Sequence, residues 1–214
     1  IVNIPYGGGK GGIVCNPKEM TDTEKEKLSR EYIKEIQNFI GPKVDILAPD
    51  VYTNAQTMGW MMDEYSKIKN SYEPAVTTGK PVDIGGSVGR EDATARGGMH
   101  VLGQSADYRN IDLNKAKVAI QGYGNVGKFA HKLIDEFFGS KVVAVSDSNG
   151  AIYKEDGLEP EQTNRQKEKT GSIVGLDGSE KLAEDPKKAN AKLLTTDVDI
   201  LIPAAIENVI TEEN

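Results

Sequence analysis

The chain has 214 residues, 37% hydrophobic and 28% charged, enough for one large or two small domains with a buried core and without the signature of disorder. Its 33 acidic residues outnumber 26 basic ones for a formal charge of -7, which disfavours a nucleic-acid partner because no basic excess offsets phosphate repulsion. No apolar run approaches the roughly 20 residues that span a bilayer, and the single cysteine, Cys15, excludes an internal disulfide and suits a reducing compartment such as the cytoplasm.

The chain begins without Met inside an apolar, strand-like run (Ile1, Val2, Ile4) and stops soon after another, as expected of an internal piece of a longer protein. The next residues, "PYGGGKGG", set Lys10 among five glycines. A phosphate-cradling loop would need G-x-x-x-x-G-K-[ST]; here Gly11 follows the lysine and Ile4 stands at the first glycine position, so Lys10 needs another account. Cys15 reads as a small buried apolar residue. With His100 and His131 as the only histidines, a zinc site of ordinary ligands is not expected.

In "TDTEKEKLSREYIKEIQNFIGP", Thr21 and Glu24 form a capping-box pattern. Leu28, Tyr32, Ile33, Ile36, Phe39 and Ile40 fall on one helical face, and Gly41-Pro42 marks the stop. "KVDILAPD" predicts a short strand that turns at Pro49-Asp50. Met58, Met61, Met62, Tyr65 and Ile68 mark the apolar side of a second helix, as core filler and not as a cofactor contact. Composition shifts to Gly, Pro and polar residues over "TGKPVDIGGSVGRED", a boundary or hinge signal.

The second half reads as strand, turn, helix, strand. "KVAIQGYGNVGKFAHKLIDEFF" places Gly122, Gly124 and Gly127 directly after an apolar run and before a helix with Phe129, Leu133, Ile134, Phe137 and Phe138 on one side. That is the context a G-x-G-x-x-G pattern requires for binding a pyrophosphate at a helix N-terminus. A second strand, "KVVAVSD", ends in Asp147, about 20 residues past Gly127, where an acid can accept from a ribose. The competing reading of Asp147 is a strand-end turn residue. "YKEDGLEPEQTNRQKEKTGS" is polar enough for a solvated surface helix with loops.

A nicotinamide cofactor asks for a partner group at the hydride carbon. A lysine walled by glycines and poorly solvated can polarise a carbonyl or activate water, and the carboxylate of Asp50 can carry the accompanying proton. This is the chemistry of oxidative deamination, although a lysine among glycines is by itself more often a solvated turn residue.

"PYGGGKGG", "APDVYTNAQTMGWMMDEY", "TGKPVDIGGSVGREDATARGG", "VAIQGYGNVG", "VAVSDSNG" and "DILIPAAIENVIT" together resemble the blocks of the glutamate dehydrogenase family, in order, over essentially the whole chain. The resemblance implies an α/β fold: an N-terminal α/β substrate domain (1–84) whose first part is missing, then a Rossmann-like NAD(P)-binding domain (85–214) incomplete at its C-terminus, with a cleft between them. It implies that Lys10 activates water, that Asp50 handles the amino-group proton, and that Thr94 and Asn125 contact NAD or NADP together with Gly122, Gly124, Val126, Gly127, Asp147 and Ser148. Ala204 and Ala205 would lie in the loop beside the nicotinamide. The implied reaction converts L-glutamate to 2-oxoglutarate and ammonia in a homo-hexameric cytoplasmic enzyme with small-molecule partners and no membrane. A relative acting on leucine, phenylalanine or valine, or a noncatalytic dinucleotide-binding module, are the other readings; "APDVYTN" resembles the glutamate branch more closely, and a pure binding module has no need of both Lys10 and Asp50. Arg96 is assigned no role.

Overall fold

The computed structural model describes residues 3–212 and 214 and divides into two compact units, Ile1–Arg90 and Glu91–Asn214. Its fold class is α/β. The division lies at Arg90, within the Gly- and Pro-rich stretch noted above. No helix of the described residues is long and apolar enough to cross a membrane.

The first unit is built on two helices, α1 (Asp22–Ile36) and α2 (Ala55–Lys69). The capping box at Thr21 forms as expected: its hydroxyl accepts from the Glu24 amide at 3.3 Å and the Glu24 carboxylate accepts from the Thr21 amide at 2.8 Å. Asn54 and Thr57 cap α2 in the same reciprocal way. Met58, Met61, Met62 and Tyr65 pack with Ile33, Ile40 and Val76 in one buried cluster, each large side chain contributing roughly 2 kcal/mol by leaving water. Arg30 ties the two helices together: its guanidinium donates to Glu26 at 2.7 Å, Asp63 at 2.6 Å and Glu64 at 3.3 Å.

Three expectations for this unit are corrected. Helix α1 ends at Ile36, short of Gly41, so Phe39 leaves the buried face and stands 70% exposed. The predicted strand at 43–50 shrinks to one parallel bridge, Leu47 with Thr77. Leu47 donates to Val76 O and accepts from Thr78 N, and pairing ends there because Pro49 has no N–H for the next rung. Residues 3–16 form no helix or strand, so nothing covers Cys15, which is exposed. The apolar start of that segment, Ile1 and Val2, lies outside the described residues.

The second unit opens with α3 (Ala93–Arg109) and then alternates β1 (Lys117–Gln121), α4 (Asn125–Phe138), β2 (Lys141–Asp147), β3 (Gly150–Tyr153), α5 (Pro160–Thr170), β4 (Glu180–Lys181), α6 (Pro186–Leu194) and β5 (Ile200–Pro203). The sheet order is β4-β3-β2-β1-β5, with β1 parallel to β2 and β5, and β3 and β4 added antiparallel. Val118 and Ile120 face the cluster that holds Ala130, Leu133 and Ile134 of α4; Ala119, Ala144 and Ala151 line the opposite face, where small side chains admit Ala189 and Leu193 of α6. Register slips by one between Val118 and Ala119, whose partners are Val142 and Ala144. The extra residue, Val143, explains how Val142 and Val145, three apart on a strand, reach the same cluster.

One buried polar chain crosses this core. The Tyr123 hydroxyl lies 2.8 Å from His131 Nδ1, and His131 Nε2 lies 2.9 Å from Leu158 O. A carbonyl only accepts, so Nε2 carries the proton and Nδ1 accepts from Tyr123. Burial pushes the Tyr123 phenol up and the His131 imidazole down to about 4. A proton that the unfolded chain accepts near 6.5 is refused by the folded one until about 4, so stability is lost as pH falls through that window. Urea unfolding across it should show a loss of about 3 kcal/mol from this group, and His131→Gln should flatten the slope. An unchanged slope in that variant would remove His131 as the titrating group.

Candidate active site

In the first unit the glycine segment brings Lys10 to Asp50, 40 residues away, with Lys10 Nζ donating to the carboxylate Oδ2. The neighbouring Gly11 lies against Tyr32, whose hydroxyl would meet a Cβ there at 2.6 Å, so this backbone fits best without a side chain. Asp50 sits in a tight turn: its amide donates to Thr53 Oγ1 at 2.7 Å, its Oδ1 accepts from the Val51 amide at 2.8 Å, and Tyr52 adopts φ +60° to complete it. The hydrogen bond from Lys10, then that from Val51, hold the Asp50 carboxyl below the ordinary carboxylate range. It is therefore ionised at neutral pH. The expectation of a poorly solvated lysine is not met, because glycines offer no side chains to cover it: the Lys10 side chain is 87% exposed.

In the second unit β1 runs into Gly122 (φ +89°), Tyr123 and Gly124, and α4 begins at Asn125. A Cβ on Gly127 would stand 1.8 Å from Gly122 O, so the helix can start this close to the strand only with glycine there. Gly124 caps α4 without any side-chain hydrogen bond, and a Cβ on it would meet nothing within 4 Å. Uncapped amides at Asn125, Val126 and Gly127 beside open space are what an anionic pyrophosphate requires, so these residues fit a dinucleotide. Gln121 Oε1, just before the turn, is buried without a partner among the described residues, a further acceptor at the same strand end.

The other expected cofactor residues gather on this side of the sheet to different degrees. Because β5 lies next to β1, Ala204 donates to Gln121 O at 2.8 Å, and Ala204 and Ala205 crowd Gly122. Asn125 Nδ2 donates to Glu91 O at 3.0 Å, which sets it beside the first turn of α3, where Thr94 is exposed. Ser148 is exposed just past the end of β2. Asp147 is otherwise engaged. Its side chain is 4% exposed and accepts from Lys167 Nζ at 2.7 Å, Ile173 N at 2.9 Å, Asn149 N at 2.8 Å and Ser172 Oγ at 3.3 Å. Both oxygens are thus engaged within the fold, at the position where the sequence reading has the acid accept from a ribose. Arg96 bridges Asp92 and lies 5.5 Å over the Phe137 ring, a structural position.

Sequence reasoning passed over Tyr123, His131 and Lys167. The spacing of His131 to Ile134 and Phe138 puts it on the apolar face of α4, and that signal was available. Lys167 carried none, since α5 reads as solvated throughout. A groove of about 640 Å³ between the C-terminal halves of α3 and α4 is lined by Phe137 and Phe138 and by none of the site residues.

Asp147 should therefore act mainly on stability. Replacing it with Asn leaves Lys167 without its counter-charge, and equilibrium unfolding should register a loss of about 3 kcal/mol. A loss below about 0.5 kcal/mol would show that the cluster contributes nothing to the fold.

Family comparisons match both units. Residues 85–214 match the family model described as Glutamate/Leucine/Phenylalanine/Valine dehydrogenase, and residues 1–67 match the Glu/Leu/Phe/Val dehydrogenase dimerisation domain. The chain is 46% identical, over all 214 residues, to 48% of the cryptic catabolic NAD-specific glutamate dehydrogenase of Bacillus subtilis. It is 45% identical, again over all its length, to 50% of the NAD-specific glutamate dehydrogenase of Staphylococcus aureus. The chain thus spans about half the length of the curated relatives it matches. A hetero-hexameric glutamate dehydrogenase from Thermus thermophilus in its leucine-bound form superposes with a TM-score of 0.82 at 36% identity, covering 92% of this chain and 44% of that one. Glutamate dehydrogenase from Peptoniphilus asaccharolyticus gives 0.67 at 38% identity, over 99% and 48%. On a family match that takes in more than half of its residues, the chain belongs to the Glutamate/Leucine/Phenylalanine/Valine dehydrogenase family.

Proposed function

We propose that this chain carries the catalytic pair and the dinucleotide turn of a glutamate dehydrogenase. The observation that supports it most directly is the Lys10–Asp50 ion pair, which joins two segments 40 residues apart. Residues 1–84 serve as the substrate domain and residues 85–214 as the cofactor domain. The reaction is L-glutamate plus NAD(P)+ plus water to 2-oxoglutarate, ammonium and NAD(P)H with one proton released, and its reverse. NAD(P), when bound, accepts the hydride from the substrate Cα.

The protein's own groups do the rest. Asp50, ionised and close to Lys10, takes the amino-group proton, which leaves nitrogen lone-pair density to drive hydride loss. Lys10 places a positive charge where the attacking water develops negative charge, and where the carbinolamine oxygen forms. An exposed ion pair does this weakly in bulk water, so the substrate must displace water from the pair for the charges to act at full strength. At the cofactor end, the amides of Asn125, Val126 and Gly127 receive the pyrophosphate, and Thr94, Ser148, Ala204 and Ala205 complete the contacts. Relatives named NAD-specific glutamate dehydrogenase support NAD(P) use and glutamate as substrate, and a hetero-hexameric structural neighbour supports hexameric assembly; the cytoplasmic setting rests on the single cysteine. The "APDVYTN" block favours glutamate over the branched or aromatic amino acids.

Two substitutions in the full-length protein carrying this sequence test the reading. Lys10→Ala should lower kcat by at least a hundredfold, about 2.7 kcal/mol of barrier, with reduced-cofactor affinity nearly intact. Retention of more than about a tenth of the wild-type kcat would show that Lys10 is not the reacting group. Asp50→Asn keeps the shape and removes the proton acceptor, so turnover should collapse and the limb of the pH–rate profile set by this carboxylate should vanish. High residual turnover with the limb in place would leave Asp50 as a turn former only.

A further inference from the structure

Among the described residues of the first unit, Lys80 is the lysine that the fold buries, 7% exposed, and burial alone lowers its affinity for a proton with no carboxylate to offset it. An unpaired ammonium is costly to bury, and an apolar side chain of the same length would fill the space without that cost. What the ammonium adds is one hydrogen bond, from Nζ to Thr77 O at 2.7 Å.

That carbonyl belongs to the strip of chain on which the Asp50 segment is laid. Thr77 is 2% exposed, donates its hydroxyl to Met58 O at 3.3 Å, and forms the parallel bridge with Leu47. Thr78 donates to Leu47 O at 2.8 Å, and Gly79 presses on the Pro49 ring, whose carbons would meet a Cβ at 3.0 Å. Asp50 is the next residue. Lys80 folds back along the strip and fastens it to itself, and Gly79 (φ +80°) allows the chain to turn there.

We propose that Lys80 is a positioning residue: by holding the Thr77 carbonyl it keeps residues 76–80 in the form that seats Pro49, and so aims the Asp50 carboxylate at Lys10. The proposal rests on the reading of Asp50 as the proton-handling group. It makes Lys80 a residue that sacrifices stability for alignment, which separates it from an ordinary core side chain.

The test uses the full-length protein with Lys80→Met, Lys80→Arg, Asp50→Asn and the Lys80→Met/Asp50→Asn double variant. Lys80→Met should melt at or above the wild-type temperature, since it relieves a buried charge. Its kcat should fall roughly tenfold while the cofactor KM stays within about twofold. In the Asp50→Asn background the same change should alter kcat by less than about twofold, because no carboxylate is left to aim. Lys80→Arg, which keeps a charged donor, should retain kcat within about threefold. A Lys80→Met enzyme that keeps more than half its kcat, that loses the same factor in both backgrounds, or that fails to fold would overturn the proposal. If Asp50→Asn itself runs at near wild-type rate, the reading of Asp50 falls and this proposal with it, so the two failures are told apart by which single variant stays active.

Discussion

The carbonyl oxygen of Gly122 occupies the space where any side chain on Gly127 would begin, 1.8 Å from the position of a Cβ. Three relations at the strand end depend on this approach. It lets β1 pass into α4 within three residues, and the helix therefore presents uncapped amides directly above the strand end. It turns Tyr123 inward, where the hydroxyl finds His131 in place of solvent. It also leaves Gly122 so close to Ala204 and Ala205 that the loop after β5 becomes a second wall of the same turn. A single methyl at position 127 would push the helix away and spoil all three relations together.

The first unit reaches its chemistry by a different route. An exposed ion pair is worth about 1 kcal/mol or less, so attraction between Lys10 and Asp50 does not organise the chain around them. The backbone does. Asp50 is fixed by its turn with Thr53, by the strained conformation of Tyr52, and by the capped start of α2 at Asn54, four residues on. Lys10 approaches on a segment in which the next residue, Gly11, fits against the Tyr32 hydroxyl. The pair is a product of a scaffold whose energy lies in the methionine-rich cluster between α1 and α2, and the exposed site itself contributes little to stability.

Features that depend on local spacing were legible in the sequence. The Thr21 capping box, the buried methionines of α2, the glycine turn and the strand that ends at Asp147 all follow from neighbours within one or two turns of chain. The features that were not legible are those decided by a distant partner. Whether "KVDILAPD" becomes a strand depends on how many rungs Thr77 and its neighbours can offer, and Pro49 stops the ladder after one. Cys15 and Lys10 were read as covered, yet coverage depends on side chains that the glycine segment lacks and on what packs over residues 3–16. Phe39 fits the apolar face of α1 only while the helix continues, and a helix end is set by the turn that follows it.

Asp147 shows how far such a distant partner can change a role. As a bare carboxylate at the end of β2 it would bond ribose hydroxyls and repel the extra phosphate of NADP. Lys167 places a positive charge 2.7 Å from it, and three further donors saturate its oxygens. Seen from a few ångströms away, a matched pair of charges has almost no net field, so the acid offers a 2′-phosphate little repulsion and a ribose little unused acceptor capacity. The polar side chains exposed past the strand are Ser148 and Asn149, both uncharged. Neutral donors serve a hydroxyl and a phosphate on similar terms, so under the proposed cofactor reading these side chains would set only a weak preference between NAD and NADP.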